Sequence, residues 1–272
     1  MKKPINYYIH SLIFCFLLIG CSDSENERAV MWKFQNFDKL TYNFTQKMEI
    51  SPMGGIFSAF GITNEATGKL TITPTSDEKA DVALENLDMG EIGDALLQNM
   101  TTDNQKVTEM SIKGLKSDGT IEGKISEAMK LFYTGVLPIP TKNLKVGEML
   151  KVKIKMPIPS SDKKIVMKGF QTLKLKSIKQ NLYILQSDIL MDEYENPDLE
   201  KQIEKEDRPQ IKGEGMYTFD IEKGCFTEAK VELKMKMKLD GLEQENSPIK
   251  MDFSNMKMNF TSTINLDLEK VE

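Results

Sequence analysis

"VELKMKMKLD", residues 231–240, alternates without a break. Val231, Leu233, Met235, Met237 and Leu239 fall on one side of an extended chain, and Glu232, Lys234, Lys236, Lys238 and Asp240 fall on the other. A period of two is the signature of a β-strand with one dry face and one wet face. At ~3.3 Å per residue the stretch reaches about 33 Å, well beyond the usual five or six residues. Its dry side carries methionine where strands usually carry valine or isoleucine.

The same alternation recurs along the chain. Tyr42, Phe44, Met48 and Ile50 share a face, interrupted by Gln46. Leu150, Val152, Ile154, Met156 and Ile158 form a clean run with Lys151, Lys153 and Lys155 opposite. Further strands are expected at 69–88 as a hairpin, and at 105–114, 164–177, 182–192, 214–222 and 249–268. "SDG" (117–119) and "EKG" (222–224) suit hairpin tips. In the last strand Met251 and Phe253 lie on one phase, whereas Met256, Met258, Phe260, Ile264, Leu266 and Leu268 lie on the other. One extra residue near Ser254-Asn255 would restore a common face, which predicts a β-bulge.

Helical patterns are few. They cover 90–100, 123–133 with Gly135 as a C-terminal cap, and 197–205 opened by Asn196 and Pro197. The fold class expected is mainly β (β-rich α+β): a long, strongly curved, half-barrel-like antiparallel sheet with two or three short helices. The order of strand, Pro loop, hairpin, helix and strand occurs twice, over 31–136 and 145–272. It reads either as an internal duplication or as one long meander that looks alike in both halves.

The N-terminus reads as a targeting segment. Lys2 and Lys3 precede an apolar run from Leu12 to Ile19, too short to span a bilayer and suited to a secretory signal. Leu18-Ile19-Gly20-Cys21 resembles the lipobox of bacterial lipoproteins. That resemblance implies cleavage before Cys21 and acylation of its thiol. An ordinary signal peptide with a chance Gly-Cys is the alternative. Ser22 in place of Asp points to the outer membrane. The acidic stretch 22–27 reads as a solvated tether, or as the surface-export tag that it resembles in Bacteroidetes lipoproteins. The expected organisation is a signal peptide (1–20), an acidic tether (21–30) and a single β-rich domain (31–272), lipid-anchored at the outer membrane on the periplasmic face or the cell surface.

Composition excludes several chemistries. Taking Lys2 and Lys3 from 36 basic residues leaves 34, against 41 acidic, a net charge of −7. Only Arg28 and Arg208 are arginine, the residue best suited to bidentate phosphate recognition. Nucleic acid is not an expected partner. The only histidine, His10, lies in the signal segment, and Cys225 is the one cysteine beyond Cys21. No internal disulfide, Ser-His-Asp device or histidine-based zinc site can form from that inventory. No catalytic residue, cofactor or metal is assigned. Asp192, Glu193 and Glu195 are the one cluster that could serve a carboxylate-only hydrolase. They read more simply as a solvated loop before a helix.

Two features point to apolar binding. The segment 51–68, "SPMGGIFSAFGITNEATG", is expected to be a loop, yet it carries Met53, Ile56, Phe57, Phe60 and Ile62. It reads as a lid or as a plug for one end of the core. Met235, Met237, Met251, Met256 and Met258 cluster in the last two strands, and unbranched thioethers repack easily on promiscuous apolar surfaces. Plain core packing is the alternative.

The Pro-rich crossover "GVLPIPTKNLKVGEML" (135–150) and "GEGMYTFDIEKG" (213–224) are similar to an uncharacterised family of Bacteroidetes lipoproteins, which brings no activity. A curved sheet over helices also resembles, in architecture alone, the half-barrel of the LolA/LolB-like lipoprotein carriers. That resemblance implies a non-enzymatic protein holding a lipid or other apolar ligand. The ligand-lining candidates are Phe44, Met48, Phe57, Phe60, Leu233, Met235, Met237, Met256, Met258 and Phe260. The rival reading is a structural or interaction subunit of an outer-membrane complex with a protein partner and no small ligand.

Overall fold

The computed structural model describes residues 30–53, 61–90, 110–123, 133–158, 165–196, 198, 208–239 and 256–272. Ten strands occur in chain order: β1 (Leu40–Pro52), β2 (Ile62–Ser76), β3 (Lys79–Asp88), β4 (Met110–Lys116), β5 (Met149–Ile158), β6 (Ile165–Lys179), β7 (Leu182–Tyr194), β8 (Gln210–Asp220), β9 (Cys225–Leu239) and β10 (Met256–Val271). They form one open antiparallel sheet in the order β4-β3-β2-β1-β10-β9-β8-β7-β6-β5. Two meanders are thus stitched through β1 and β10, and the crossover from β4 to β5 joins the two outer edges.

The opening stretch lies in β9, and its alternation is real. Val231 is buried, whereas Lys230, Lys234 and Lys236 are exposed. The register sets Met258 opposite Met237 and Phe260 opposite Met235, so the methionines of β9 and β10 share a face. β8 alternates as cleanly, with Ile211, Gly213, Gly215, Tyr217 and Phe219 inward. One apolar and one wet face is what an antiparallel sheet outside a sandwich requires.

The sheet curls, and two hydrogen bonds measure the curl. Trp32 N donates to Ser117 O at 2.9 Å, and Lys33 N donates to Gly224 O at 3.0 Å. Adjacent residues are only ~3.8 Å apart, so those two carbonyls lie within roughly 10 Å of each other. Ser117 follows β4 and Gly224 precedes β9, five places apart in the strand order. At ~4.8 Å per strand a flat sheet would separate them by about 24 Å. The segment 30–37 therefore acts as a clasp across one end of a strongly bent sheet.

Aromatic packing fills that end. Trp32 stacks on Phe34 at 6.0 Å between ring centroids and meets Phe226 edge-on at 5.4 Å. Phe226 meets Phe219 at 5.0 Å, also edge-on. The Tyr42 hydroxyl, buried among them, donates to Phe226 O at 2.9 Å. Edge-to-face pairs of this kind add about 0.5–1.5 kcal/mol each beyond their area. Gly224 sits at φ +71°, and a Cβ there would lie 2.2 Å from Lys33 Cβ, so the clasp needs glycine.

Several expectations are corrected. The segment 51–68 is not a loop at either end. β1 runs through Pro52, β2 starts at Ile62, and Ile50 pairs with Ile62. Strand pairing overrode a polar, Gly-containing sequence there, and only the tip around 54–60 falls outside the described residues. A β-bulge does occur in β10, but where it faces Thr41/Tyr42; the position expected at Ser254-Asn255 lies outside the described residues. The two or three short helices are not borne out. Among the described residues helix is confined to the 3-10 turn Phe34–Asn36, one turn at 133–136 and single residues at 90 and 198. The bulk of the three expected helices, 91–100, 124–132 and 199–205, lies outside the described residues.

Candidate functional site: a cavity at the seam

Curling brings the far edges of the sheet near each other, and the β4–β5 crossover fills the seam. The turn after β4 packs on the crossover so closely that a Cβ on Gly119 (φ +82°) would lie 2.7 Å from Ile139 Cβ. The crossover is also pinned to the inner wall. Tyr217 Oη donates to Gly135 O at 2.6 Å, and Ser187 Oγ lies 2.9 Å from the same hydroxyl. With its own proton committed, Tyr217 accepts from Ser187. Burial pushes the Tyr217 phenol well above its ordinary range, with Ser187 and the Gln171 amide drawing it partly back. The phenol stays neutral and keeps its role as donor.

Beside this pin lies a cavity of about 590 Å³. The turn after β4 contributes Asp118, Thr120 and Ile121. The crossover contributes Thr134, Leu137, Pro138 and Ile139, and the inner face of β5 and β6 contributes Val152, Gln171 and Leu173. Gln171 is 3% exposed, and its Nε2 has no hydrogen-bond partner. Its neighbours across the sheet are Val152 and Ile189. Asp118 accepts from Thr120 N at 2.9 Å and from Thr120 Oγ1 at 2.6 Å. The site offers apolar walls, one buried amide, one carboxylate and the hydroxyls of Thr120, Thr134 and Thr141, with no Lys or Arg among the described lining residues.

Of the residues expected to line a ligand site, Phe44, Met48, Leu233, Met235, Met258 and Phe260 are placed elsewhere on the sheet and do not line this cavity. Phe44 is buried in the main core. Leu233 packs against both the main core and a second cluster of Ile154, Met167, Ile189, Met191 and Ile211. Met235 packs on that second cluster, and Met258 is buried. Met48 and Phe260 are partly buried on neighbouring strands. Met237 and Met256 are placed by strand register alone, opposite Met258 and Leu239. Phe57, Phe60 and Cys21 lie outside the described residues.

Other groups carry little chemistry. Asp192, Glu193 and Glu195 are exposed at the end of β7, and Glu195 pairs with Lys155 at 2.6 Å. Cys225 is fully buried, and burial with the nearby Asp220 charge pushes its thiol up to about 12. Such a thiol is inert rather than nucleophilic. Among the described residues no group of His, Cys, Asp and Glu could hold a metal, and no helix is long and apolar enough to cross a membrane.

Sequence reasoning missed Gln171, although a signal was present. Gln171 lies in phase with Met167, Gly169, Leu173 and Leu175, so it is the polar member of an otherwise apolar face. Ser187 is the equivalent exception in β7, between Leu185 and Ile189.

No family model and no curated protein matches the chain. A solved structure titled "Lipid-protein interactions in lipovitellin" is similar over 86% of this chain and 25% of that one, at 9% identity and a TM-score of 0.48. The chain thus spans about a quarter of that protein's length, and so loose a likeness transfers neither site nor ligand.

Proposed function

We propose that this chain is a non-enzymatic, membrane-anchored lipoprotein that holds a lipid or other apolar ligand against the concave face of its sheet. The anchor is acylated Cys21 and the address is the outer membrane, on the strength of the lipobox-like Leu18-Ile19-Gly20-Cys21. The observation that supports binding is the seam cavity. Its volume, about 590 Å³, falls within the range of ligand sites. Its walls are mostly apolar with few polar groups, the usual build of such sites. Burial of each CH₂ there contributes ~0.8 kcal/mol, so no covalent step is needed to retain an acyl chain.

The rival reading uses the Lys/Glu outer face of the sheet or one of its edges for docking. The β5 edge carries exposed Lys151, Lys153 and Lys155, and Pro157 within the strand. Lysine and proline at an edge oppose the addition of a further strand, which counts against docking at that edge.

The test is lipid extraction from the purified chain followed by mass spectrometry, beside the variant Ile121→Trp, which fills the cavity. About one non-covalent lipid per chain, lost in the variant, is the expected result. Equal and sub-stoichiometric lipid in both would remove the proposal.

A further inference from the structure

The seam cavity says more about its ligand than that it is apolar, and the inference below rests on the reading just proposed. We infer that the cavity takes a single acyl chain bearing a neutral carbonyl, as an ester or amide, and that Gln171 donates the hydrogen bond that holds the carbonyl.

Size limits the ligand first. Liquid water occupies ~30 Å³ per molecule, so about 590 Å³ accommodates roughly twenty groups of that size. That is the scale of one acyl chain with its carbonyl.

Polarity limits it next. Gln171 is in the cavity wall, almost wholly buried, with Nε2 unpaired. Buried donors are nearly always satisfied, and an orphan one shifts an equilibrium roughly tenfold or more against the state that contains it. Among the described residues no acceptor meets hydrogen-bond geometry with Nε2. Tyr217 Oη lies near enough to feel the amide, but Nε2 does not reach hydrogen-bond geometry to it, while Gly135 and Ser187 do. The last torsion of a glutamine is soft, so a small rotation presents Nε2 to an acceptor inside the cavity. A hydrocarbon has no such acceptor, whereas an acyl carbonyl has one at the end of the chain.

Charge limits it last. A free carboxylate or phosphate would also accept from Gln171. Among the described residues the lining holds no Lys or Arg to balance that charge, and the one ionisable side chain there is Asp118, of the same sign. An unpaired anion taken out of water is strongly disfavoured, and Asp118 adds repulsion. A neutral ester or amide escapes both penalties.

The experiment uses the full chain in a fluorinated surfactant, which does not mix with acyl chains, and three probes of equal chain length. These are monopalmitoylglycerol labelled with ¹³C at the ester carbonyl, palmitic acid at pH 8, and hexadecane. Equilibrium dialysis gives affinities, and isotope-edited infrared spectroscopy reads the ester. The ester is expected to bind most tightly, and its carbonyl stretch to move to lower frequency on binding. Gln171→Met should weaken the ester about tenfold, leave hexadecane unchanged and abolish the frequency shift. An ester that binds no better than hexadecane, or that binds without a shift, overturns the inference while the broader reading stands. A palmitate preference overturns it equally. Failure of all three probes to bind overturns the proposed function itself. The wild-type infrared measurement decides the matter even if Gln171→Met does not fold.

Discussion

Tyr217→Phe is the sharpest probe of how the seam is held. The change keeps the ring, its edge-on contact with Phe226 at 6.3 Å and nearly all the buried volume. It removes one oxygen. That oxygen donates to Gly135 O at 2.6 Å and accepts from Ser187 Oγ at 2.9 Å, and both contacts are buried. Two groups therefore lose their partner, and each buried orphan costs about 1–3 kcal/mol. The serine hydroxyl can turn elsewhere, so its share lies at the low end. The expected loss is about 2–4 kcal/mol, a large fraction of the ~5–15 kcal/mol that holds most domains together.

Denaturant unfolding measures it, with a lower midpoint and an unchanged slope. Ser187→Ala alone should cost about 1 kcal/mol. The double variant should cost less than the sum of the two, because both lose the same bond. Native-state amide exchange adds a local readout. The N–H of Leu137, bonded to Tyr133 O at 2.8 Å, belongs to the pinned crossover and should exchange faster in Tyr217→Phe. A loss below about 0.5 kcal/mol, the usual size of a neutral surface change, would refute the reasoning. So would strict additivity of the two variants.

Three further outcomes follow from the same packing. Gly215→Ala would place a Cβ 2.1 Å from Tyr217 Oη and 2.6 Å from Ser187 Oγ; overpacking of that kind costs typically 1–3 kcal/mol, read as a lower thermal midpoint. Gly224→Ala would force Lys33 away from the clasp, and tryptophan fluorescence should shift to the red as Trp32 gains water. Cys225 ionises near its ordinary pKa in the unfolded chain but only at about 12 when folded. The folded state then holds the extra proton, so stability falls as pH rises from about 9 towards 12, at up to ~1.4 kcal/mol per pH unit. Denaturation midpoints of Cys225→Ala between pH 8 and 10 should show a flatter slope.

Strand positions were legible because a period of two survives wherever one face is dry. The runs at 150–158 and 231–239 needed nothing more. The start of β2 was not legible. "ITNEATG" (62–68) has no apolar alternation in sequence, since Ile62 and Ala66 are its only apolar side chains, and its strand state comes from pairing with β1 down to Ile50↔Ile62. Strand order was equally out of reach, since nothing in β1 or β10 announces that first and last strands pair. Gln46 and Gln171 show why the site was missed. Both interrupt an apolar phase. Gln46 finds a protein partner, donating to Ser262 Oγ at 2.9 Å, whereas Gln171 Nε2 finds none. A sequence marks the exception but not what answers it, because the answer depends on which strand lies alongside.

The methionines of β9 and β10 make sense once the clasp is known. At the clasped end the inner face is built from rigid rings, with Trp32, Phe34, Phe219 and Phe226 fixed against one another. Rings have few rotamers and demand one arrangement, which suits an end where the six strands from β4 to β9 are held at one curvature. At the other end the second cluster joins Met167 and Met191 to Ile154, Ile189 and Ile211, with Met156 and Met235 against it. No backbone clasp among the described residues crosses the sheet there. Small changes in curvature must then move these side chains relative to one another. An unbranched thioether absorbs such movement at little cost, whereas a β-branched side chain is stiff at χ1. The alternation in 231–240 fixes the strand, and its methionines fit the end of the sheet whose curvature is least constrained.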